Sequence, residues 1–357
     1  MNSHSQLLNK LVAAAHAMGA SDIHLSAGRV PRVRIDGQLH DLGDAATGIL
    51  APAAIDALAH QIAGDSYANL EKTGEVDLAI TAADVRCRIN IYRVQGVYHM
   101  AIRLLADTIP PLDSLGMPPA VLDFPKLTRG IVLVTGETGS GKSTTLASIL
   151  NQINLERSVH IVTLEDPIEY LYEPVCASID QREVGKDTVS FASGLRSALR
   201  QDPDIILIGE MRDVATIEAA LTAAETGHLV FATLHTASAA ESIDRLVGVF
   251  PAERQQQIRM QLSTTLEAVL AQQLLPAKSG EGRVLACELM MVNPDIRNLI
   301  RECKTHKIAN TIATTADEGS ITFDNMLVRM VRSNLISTQT ALEVAHDKDY
   351  LSRSVRG

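Results

Sequence analysis

The chain of 357 residues has no tryptophan, five phenylalanines and six tyrosines, an aromatic share of 3%. Its core must therefore be built from Ala, Val, Ile and Leu. A base-stacking nucleic-acid platform, which needs exposed rings, is disfavoured. Positive charge is also short. The 32 Lys and Arg face 42 Asp and Glu, leaving a formal net charge of −10, the wrong sign for a polynucleotide surface unless a local basic stripe exists. Cys87, Cys176, Cys287 and Cys303 lie far apart and form no Cys-x-x-Cys pair. A structural zinc site is not expected, and such sparse thiols suit a reducing cytoplasm. Polar residues occupy Met1 to Ala20 where a signal peptide would have its apolar core. No run approaches the roughly 18 uncharged apolar residues of a membrane span. A soluble protein is expected, one that can still dock on a membrane complex. What is present is 46% hydrophobic and 21% charged residues, which excludes a disordered chain. The length corresponds to about two domains.

Leu7, Leu8, Leu11, Val12, Ala15 and Met18 recur at helical spacing and stop at Gly19, which predicts an amphipathic opening helix. Ile23-His24-Leu25 and Val33-Arg34-Ile35, the latter followed by Asp36-Gly37, predict two short strands and a hairpin turn. The run Val85 to Arg93 alternates apolar residues with arginines, and Met100 to Leu105 adds another strand. These features give an α+β domain over 1–106. Pro110-Pro111 and Pro118-Pro119 then mark a linker, 107–119, because proline neither extends a helix nor pairs centrally in a sheet. Over 120–357, strand and helix patterns alternate. That predicts an α/β domain with a mostly parallel sheet whose buried strands are Ile131-Thr135, His160-Leu164, Ile205-Ile208 and Leu229-Thr233. The polar end, Asp347 to Gly357, reads as a loose tail.

The strongest motif is Gly136-Glu137-Thr138-Gly139-Ser140-Gly141-Lys142-Ser143, which matches G-x-x-x-x-G-K-[ST]. A strand precedes it, and a helix from Ser143 through Leu150 follows, the context that separates a phosphate loop from a chance glycine-rich turn. Its glycines let backbone N–H groups close on phosphates, and the helix N-terminus adds its dipole. Gly136, Thr138, Gly139, Ser140, Gly141, Lys142, Ser143 and Thr144 are the candidate nucleotide contacts. Lys142 brings charge to the β/γ-phosphates, and the Ser143 hydroxyl is placed to hold Mg²⁺.

Hydrolysis needs carboxylates delivered beside that loop. The apolar run Ile205 to Ile208 ends in Gly209-Glu210, and ligands bind at the carboxyl ends of parallel strands. Glu210 is therefore the candidate to orient or deprotonate water. Asp213 is placed to cap a helix from Val214 whose buried stripe is Ile217, Ala220, Leu221 and Ala224. Glu165, Asp166 and Glu169 form a second acidic group at the end of another strand, read either as a Mg²⁺ and water environment or as surface turn acids. His235 follows a third strand at the same edge and is suited to sensing a γ-phosphate by hydrogen bonding, or is a satisfied turn histidine. His228 sits at the opposite edge and reads as structural.

Taken in order, Gly136 to Ser143, Glu165 to Tyr170, Gln181 to Gly185, Ile208 to Asp213 and Gly227-His228 through His235-Thr236 resemble the secretion ATPases, the motors of type II secretion, type IV pili and some type IV secretion systems. The segments correspond to that family's Walker A, Asp box, Walker B and His box. The chain is most similar to the pilus retraction branch. It is short, lacks a tetracysteine insert, and carries Ile296-Arg297-Asn298-Leu299-Ile300-Arg301-Glu302, with Asp295 where that branch's motif has alanine. The resemblance implies a PAS-like N-terminal domain followed by a RecA-like P-loop ATPase domain with a helical C-terminal part. It implies ATP and Mg²⁺ as cofactors, Glu210 as catalytic glutamate, Glu165 assisting metal and water, and His235 near the γ-phosphate. It also implies arginines of the N-terminal domain on the nucleotide, here Arg88 and Arg103 with Arg86 as alternate, although those side chains equally suit the solvated face of a sheet. The implied assembly is a homo-hexamer. It is cytoplasmic and peripheral at the inner membrane, acting on a pilus platform protein to power type IV pilus retraction and twitching motility. A type II or type IV secretion motor remains open. A nucleic-acid-translocating ATPase is kept open by Arg86, Arg88, Arg93 and Arg103, and Glu210 and Glu165 argue against a non-hydrolysing scaffold.

Overall fold

A computed structural model describes residues 3–35, 37–42, 48–105 and 108–356. Contacts divide the chain into two units, Met1–Ile109 with Pro167–Leu171, and Pro110–Asp166 with Tyr172–Gly357. Among the described residues no helix is long and apolar enough to cross a membrane.

The first unit comprises α1 (Ser3–Ala17), β1 (Asp22–Leu25), β2 (Arg32–Ile35), β3 (Gln38–Asp41), α2 (Pro52–Ala63), α3 (Tyr67–Thr73), β4 (Glu75–Ala82), β5 (Val85–Val94) and β6 (Val97–Leu104). Its six strands form an antiparallel sheet in the order β3-β2-β1-β6-β5-β4. The β2–β3 hairpin is present, and Asp36 of its turn lies outside the described residues. Leu8, Leu11, Val12 and Ala15 bury one stripe of α1. Met18 departs from the predicted stripe: it lies past the helix and is 45% exposed. The chain turns there, and Ala20 takes the buried place instead. The alternation of β5 is borne out, with Val85, Cys87, Ile89 and Ile91 buried and the arginines facing out.

The second unit comprises β7 (Gly130–Thr135), α4 (Lys142–Glu156), β8 (His160–Glu165), β9 (Ser178–Glu183), α5 (Phe191–Ala198), β10 (Ile205–Ile208), α6 (Val214–Glu225), β11 (Leu229–Leu234), α7 (Ala239–Gly248), α8 (Ala252–Thr265), β12 (Leu266–Pro276) and β13 (Arg283–Met291). The helices α9 (Pro294–Arg301), α10 (Ile308–Thr314), α11 (Phe323–Arg332), α12 (Thr338–Val344) and α13 (Lys348–Arg356) complete it. Its sheet runs β13-β12-β7-β11-β10-β8-β9. All neighbours pair in parallel except β13, which returns antiparallel along β12. Sheets buried on both faces need unbroken apolar strands, and β7, β10 and β11 are buried at every residue. Val132, Val134, Leu207 and Phe231 pack toward Leu146, Ile149 and Leu150 of α4 and Leu327 of α11. Ile131, Leu133, Ile206 and Val230 pack on the other face with Ile217, Ala220 and Leu221 of α6. Pro110 onward belongs to this unit, where Leu112 is buried in the first of these cores.

Two further expectations are corrected. The helix after the phosphate loop runs six residues past Leu150, to Glu156, because Ile153 continues its buried face. The chain end is not a loose tail. It forms α13, anchored by fully buried Leu351 and by half-buried Val355 one turn on. Asp324 fixes its approach by accepting the backbone N–H groups of His346 and Asp347, each at 2.9 Å. Two apolar residues in a polar segment are a weak signal, and α11 supplies the surface that buries them.

Candidate nucleotide and catalytic site

The phosphate loop connects β7 to α4. Gly136 has φ 139°, and a Cβ there would stand 2.3 Å from the Gln272 carbonyl oxygen and 2.6 Å from Ser140 Oγ. Only glycine fits. Gly141, in the left-handed region, caps the N-terminus of α4, and Lys142 is the helix's first residue. Lys142 Nζ donates to the carbonyls of Gly136 at 2.7 Å and Glu137 at 2.9 Å, so the loop is wrapped about its own lysine. Thr138, Gly139 and Ser143 are exposed, while Thr144 is half-buried. Ser140 is buried, its Oγ has no hydrogen-bond partner, and its carbonyl accepts the Gln272 amide at 2.9 Å. An orphaned hydroxyl and a cradle that a Cβ would fill, at the start of a 15-residue helix, suit a phosphate group.

The register places the acids at the same edge. Ile208 pairs with Ala232 and Leu234 pairs with Thr135, so Glu210, two residues past Ile208, stands level with the start of the loop. Gly136 N–H bonds the Leu234 carbonyl at 3.3 Å, and Met211 N–H bonds that of Thr233 at 3.2 Å. Glu210 has an 18% exposed side chain, and its Oε1 lies 2.5 Å from Arg212 Nε and 3.3 Å from His235 Nε2. Burial pushes the Glu210 carboxyl up, but the hydrogen bonds and charges of Arg212 and His235 outweigh it and hold the group below the usual carboxylate range. Asp213 caps α6 as expected, accepting the Thr216 N–H at 2.9 Å. The segment Glu210 to Asp213 is therefore fixed at both ends.

Glu165 ends β8, and its Oε1 accepts Thr163 Oγ1 at 2.6 Å and Gln181 Nε2 at 3.2 Å. The acidic group read as a single Mg²⁺ environment is not assembled. Asp166 is exposed, and Glu169 falls in Pro167–Leu171, which belongs to the first unit. Among the described residues no group of three or more His, Cys, Asp or Glu is arranged to hold a metal ion. The donors that remain, the Ser143 hydroxyl and the Glu165 carboxylate, are hard oxygens that suit Mg²⁺, which ordinarily completes its shell with phosphate oxygens and water. His228 is structural: its Nδ1 lies 2.9 Å from the Ala223 carbonyl and 3.1 Å from Thr226 Oγ1 at the end of α6.

In the first unit Arg103 Nε lies 3.0 Å from Asp22 Oδ1, and Arg88 Nε lies 3.8 Å from Asp77 Oδ1. Arg86 Nε donates to the Ile168 carbonyl at 3.4 Å. Sequence reasoning missed Gln272 because β12 was not recognised as a strand. It gave no role to Thr163 and Gln181, which pair directly across β8 and β9. The period-two spacing of Thr163 and Glu165, which puts both on one face, was the available signal.

The family of type II/IV secretion system proteins matches residues 2–343. The chain is 44% identical over 340 residues to the type IV pilus retractation ATPase PilT of Pseudomonas aeruginosa, covering 95% of this chain and 98% of that one. It is 45% identical over 279 residues to a twitching motility protein of Neisseria gonorrhoeae, covering 78% and 75%. Among solved structures, the pilus retraction motor PilT with bound ADP superposes with a TM-score of 0.90 at 43% identity, covering 97% and 99%. With a family match that spans nearly its whole length, the chain belongs to the type II/IV secretion system proteins.

Proposed function

We propose that the chain is an ATP-hydrolysing motor subunit that powers type IV pilus retraction. The observation that carries the reading is the alignment of Glu210, paired with Arg212 and His235, at the strand edge where the phosphate loop begins. It is supported by the likeness to relatives named as a retraction ATPase and a twitching motility protein. Gly136 to Thr144 bind the phosphates of ATP, Lys142 leaving its own loop carbonyls for the β/γ-phosphates. Mg²⁺ held by Ser143 and Glu165 supplies charge neutralisation on the phosphate oxygens. Glu210, kept ionised by Arg212, orients the attacking water and accepts its proton. His235 stands beside that carboxylate and reports the γ-phosphate. Arg88 and Arg103 exchange their carboxylate partners for phosphate oxygens. The subunits work as a homo-hexamer in the cytoplasm, docked on a platform protein at the inner membrane.

The test has two arms. Purified protein should release phosphate from MgATP, and absence of turnover would end the enzymatic reading. A strain lacking the gene should be hyperpiliated and non-twitching if the motor retracts. Bald cells would mean assembly, and normal pili with impaired export would mean a secretion motor.

A further inference from the structure

Glu288 lies within β13 with 6% of its surface exposed, and the machinery above gives it no part. A carboxylate so buried is costly unless polar partners hold it. One oxygen accepts the Ala239 N–H at 2.9 Å, and the backbone N–H of Phe323 acts electrostatically on the same carboxylate. Ala239 and Phe323 are the first residues of α7 and α11. First-turn N–H groups have no partner inside their own helix and carry the positive end of its dipole. One side chain thus holds the start of α7 by a hydrogen bond and feels the start of α11, from a different region, through its field. Burial raises the Glu288 carboxyl, and the two N–H groups oppose that only in part.

What α7 carries makes this consequential. Three residues separate Ala239 from His235, and each is tied to the helix. Thr236 Oγ1 lies 2.7 Å from Ser242 Oγ, Ala237 N–H bonds Glu241 Oε2 at 2.8 Å, and Ser238 Oγ accepts the Glu241 N–H at 3.2 Å. The segment therefore moves with α7 as one piece. A cavity of about 80 Å³ is lined by Gly136 and Glu137 of the phosphate loop, Ala237, Gln272, Phe323 and His346. The phosphate loop, the histidine segment and the C-terminal helices meet there, and Phe323 and His346 stack with centroids 5.4 Å apart.

Resting on the reading that Glu210 and His235 act on ATP, we infer that Glu288 is a positioning residue. It sets where His235 stands relative to Glu210 and makes that placement depend on the C-terminal helices. Displacement of a catalytic group by about 1 Å can cost orders of magnitude in rate.

The experiment measures MgATP turnover and fluorescent-ADP affinity of the full chain. Glu288→Met removes both acceptors at similar volume. Ala239→Pro deletes one donor at a helix position where proline is tolerated, after an extended Ser238. Each should lower kcat about tenfold while KM and ADP affinity stay within about twofold. In a His235→Ala background the Glu288→Met loss should shrink to less than about twofold, since coupled residues are not additive. Equal losses in both backgrounds, wild-type kcat in Ala239→Pro, or a loss confined to ADP affinity would overturn the role of Glu288 alone. A wild-type chain without turnover would overturn the motor reading beneath it.

Discussion

Arg88 and Arg103 stand directly opposite one another on neighbouring strands β5 and β6. Like charges in that position repel, and two acids relieve the strain from either side. Asp22 pairs with Arg103 across β1 and β6, and Asp77 lies near Arg88 from β4. The proposed function puts both arginines on nucleotide phosphates. Replacing either arginine by alanine should lower MgATP turnover at least about tenfold, well inside the roughly 10³–10⁵-fold an arginine acting on transferring phosphate can supply. The fold should be kept, because Arg103 is exposed, Arg88 is partly exposed, and exposed ion pairs are worth under about 1 kcal/mol. Turnover within error of wild type in both variants would leave the arginines as solvated surface.

Lys142→Ala removes the charge that the loop wraps. Nucleotide affinity and phosphate release should both fall to background. An unchanged rate would exclude this loop as the site.

Glu210→Gln keeps the shape of the side chain and its contact with Arg212 but removes the proton acceptor. The variant should bind ATP normally and hydrolyse it at least about a hundredfold more slowly. Quench-flow with radiolabelled ATP separates the two steps, and normal turnover would place the base elsewhere.

Arg212 is the larger of the two partners that lower the Glu210 carboxyl against burial. Without its hydrogen bond and charge, burial is opposed by His235 alone, and the carboxyl rises relative to its present value. A depressed folded pKa keeps the ionised form, with its share of stability, above the unfolded pKa and loses it as pH falls through the folded value. In Arg212→Ala the acid limb of the kcat–pH profile should move to higher pH. A limb that stays put or moves lower would contradict the assignment.

Thiol reactivity checks the packing independently. Cys176 and Cys303 are exposed, whereas Cys87 and Cys287 are buried, and burial with help from Glu288 pushes the Cys287 thiol up to about 12. A thiolate-dependent reagent should titrate two thiols in the native protein and four after unfolding. Rapid loss of a third native thiol would show that β5 or β13 is not closed.

The phosphate loop was legible because its meaning is local: strand, glycines, lysine and helix follow one another within a few residues. The same holds for the apolar strands β7, β8, β10 and β11 and for Asp213 at the start of α6. Less was visible of β3, β4, β12 and β13. The acids of 165–169 read as one group because they are neighbours in sequence, yet among the described residues no group of three or more such side chains is arranged to hold a metal ion.

By itself, the sequence determined that this protein has a phosphate-binding turn between a buried strand and a helix, with acids ending parallel strands. Periodicity and backbone preference act over short stretches, and those can be read residue by residue. Only the tertiary structure decided which side chains hold that site. Gln272 reaches Ser140 across 132 positions of sequence, and Glu288 of β13 holds the start of α7, 49 positions away, which no pattern connects to it. Such partners are set by strand order and register, and a carboxylate or amide is committed to its donor only when burial has removed water as the alternative.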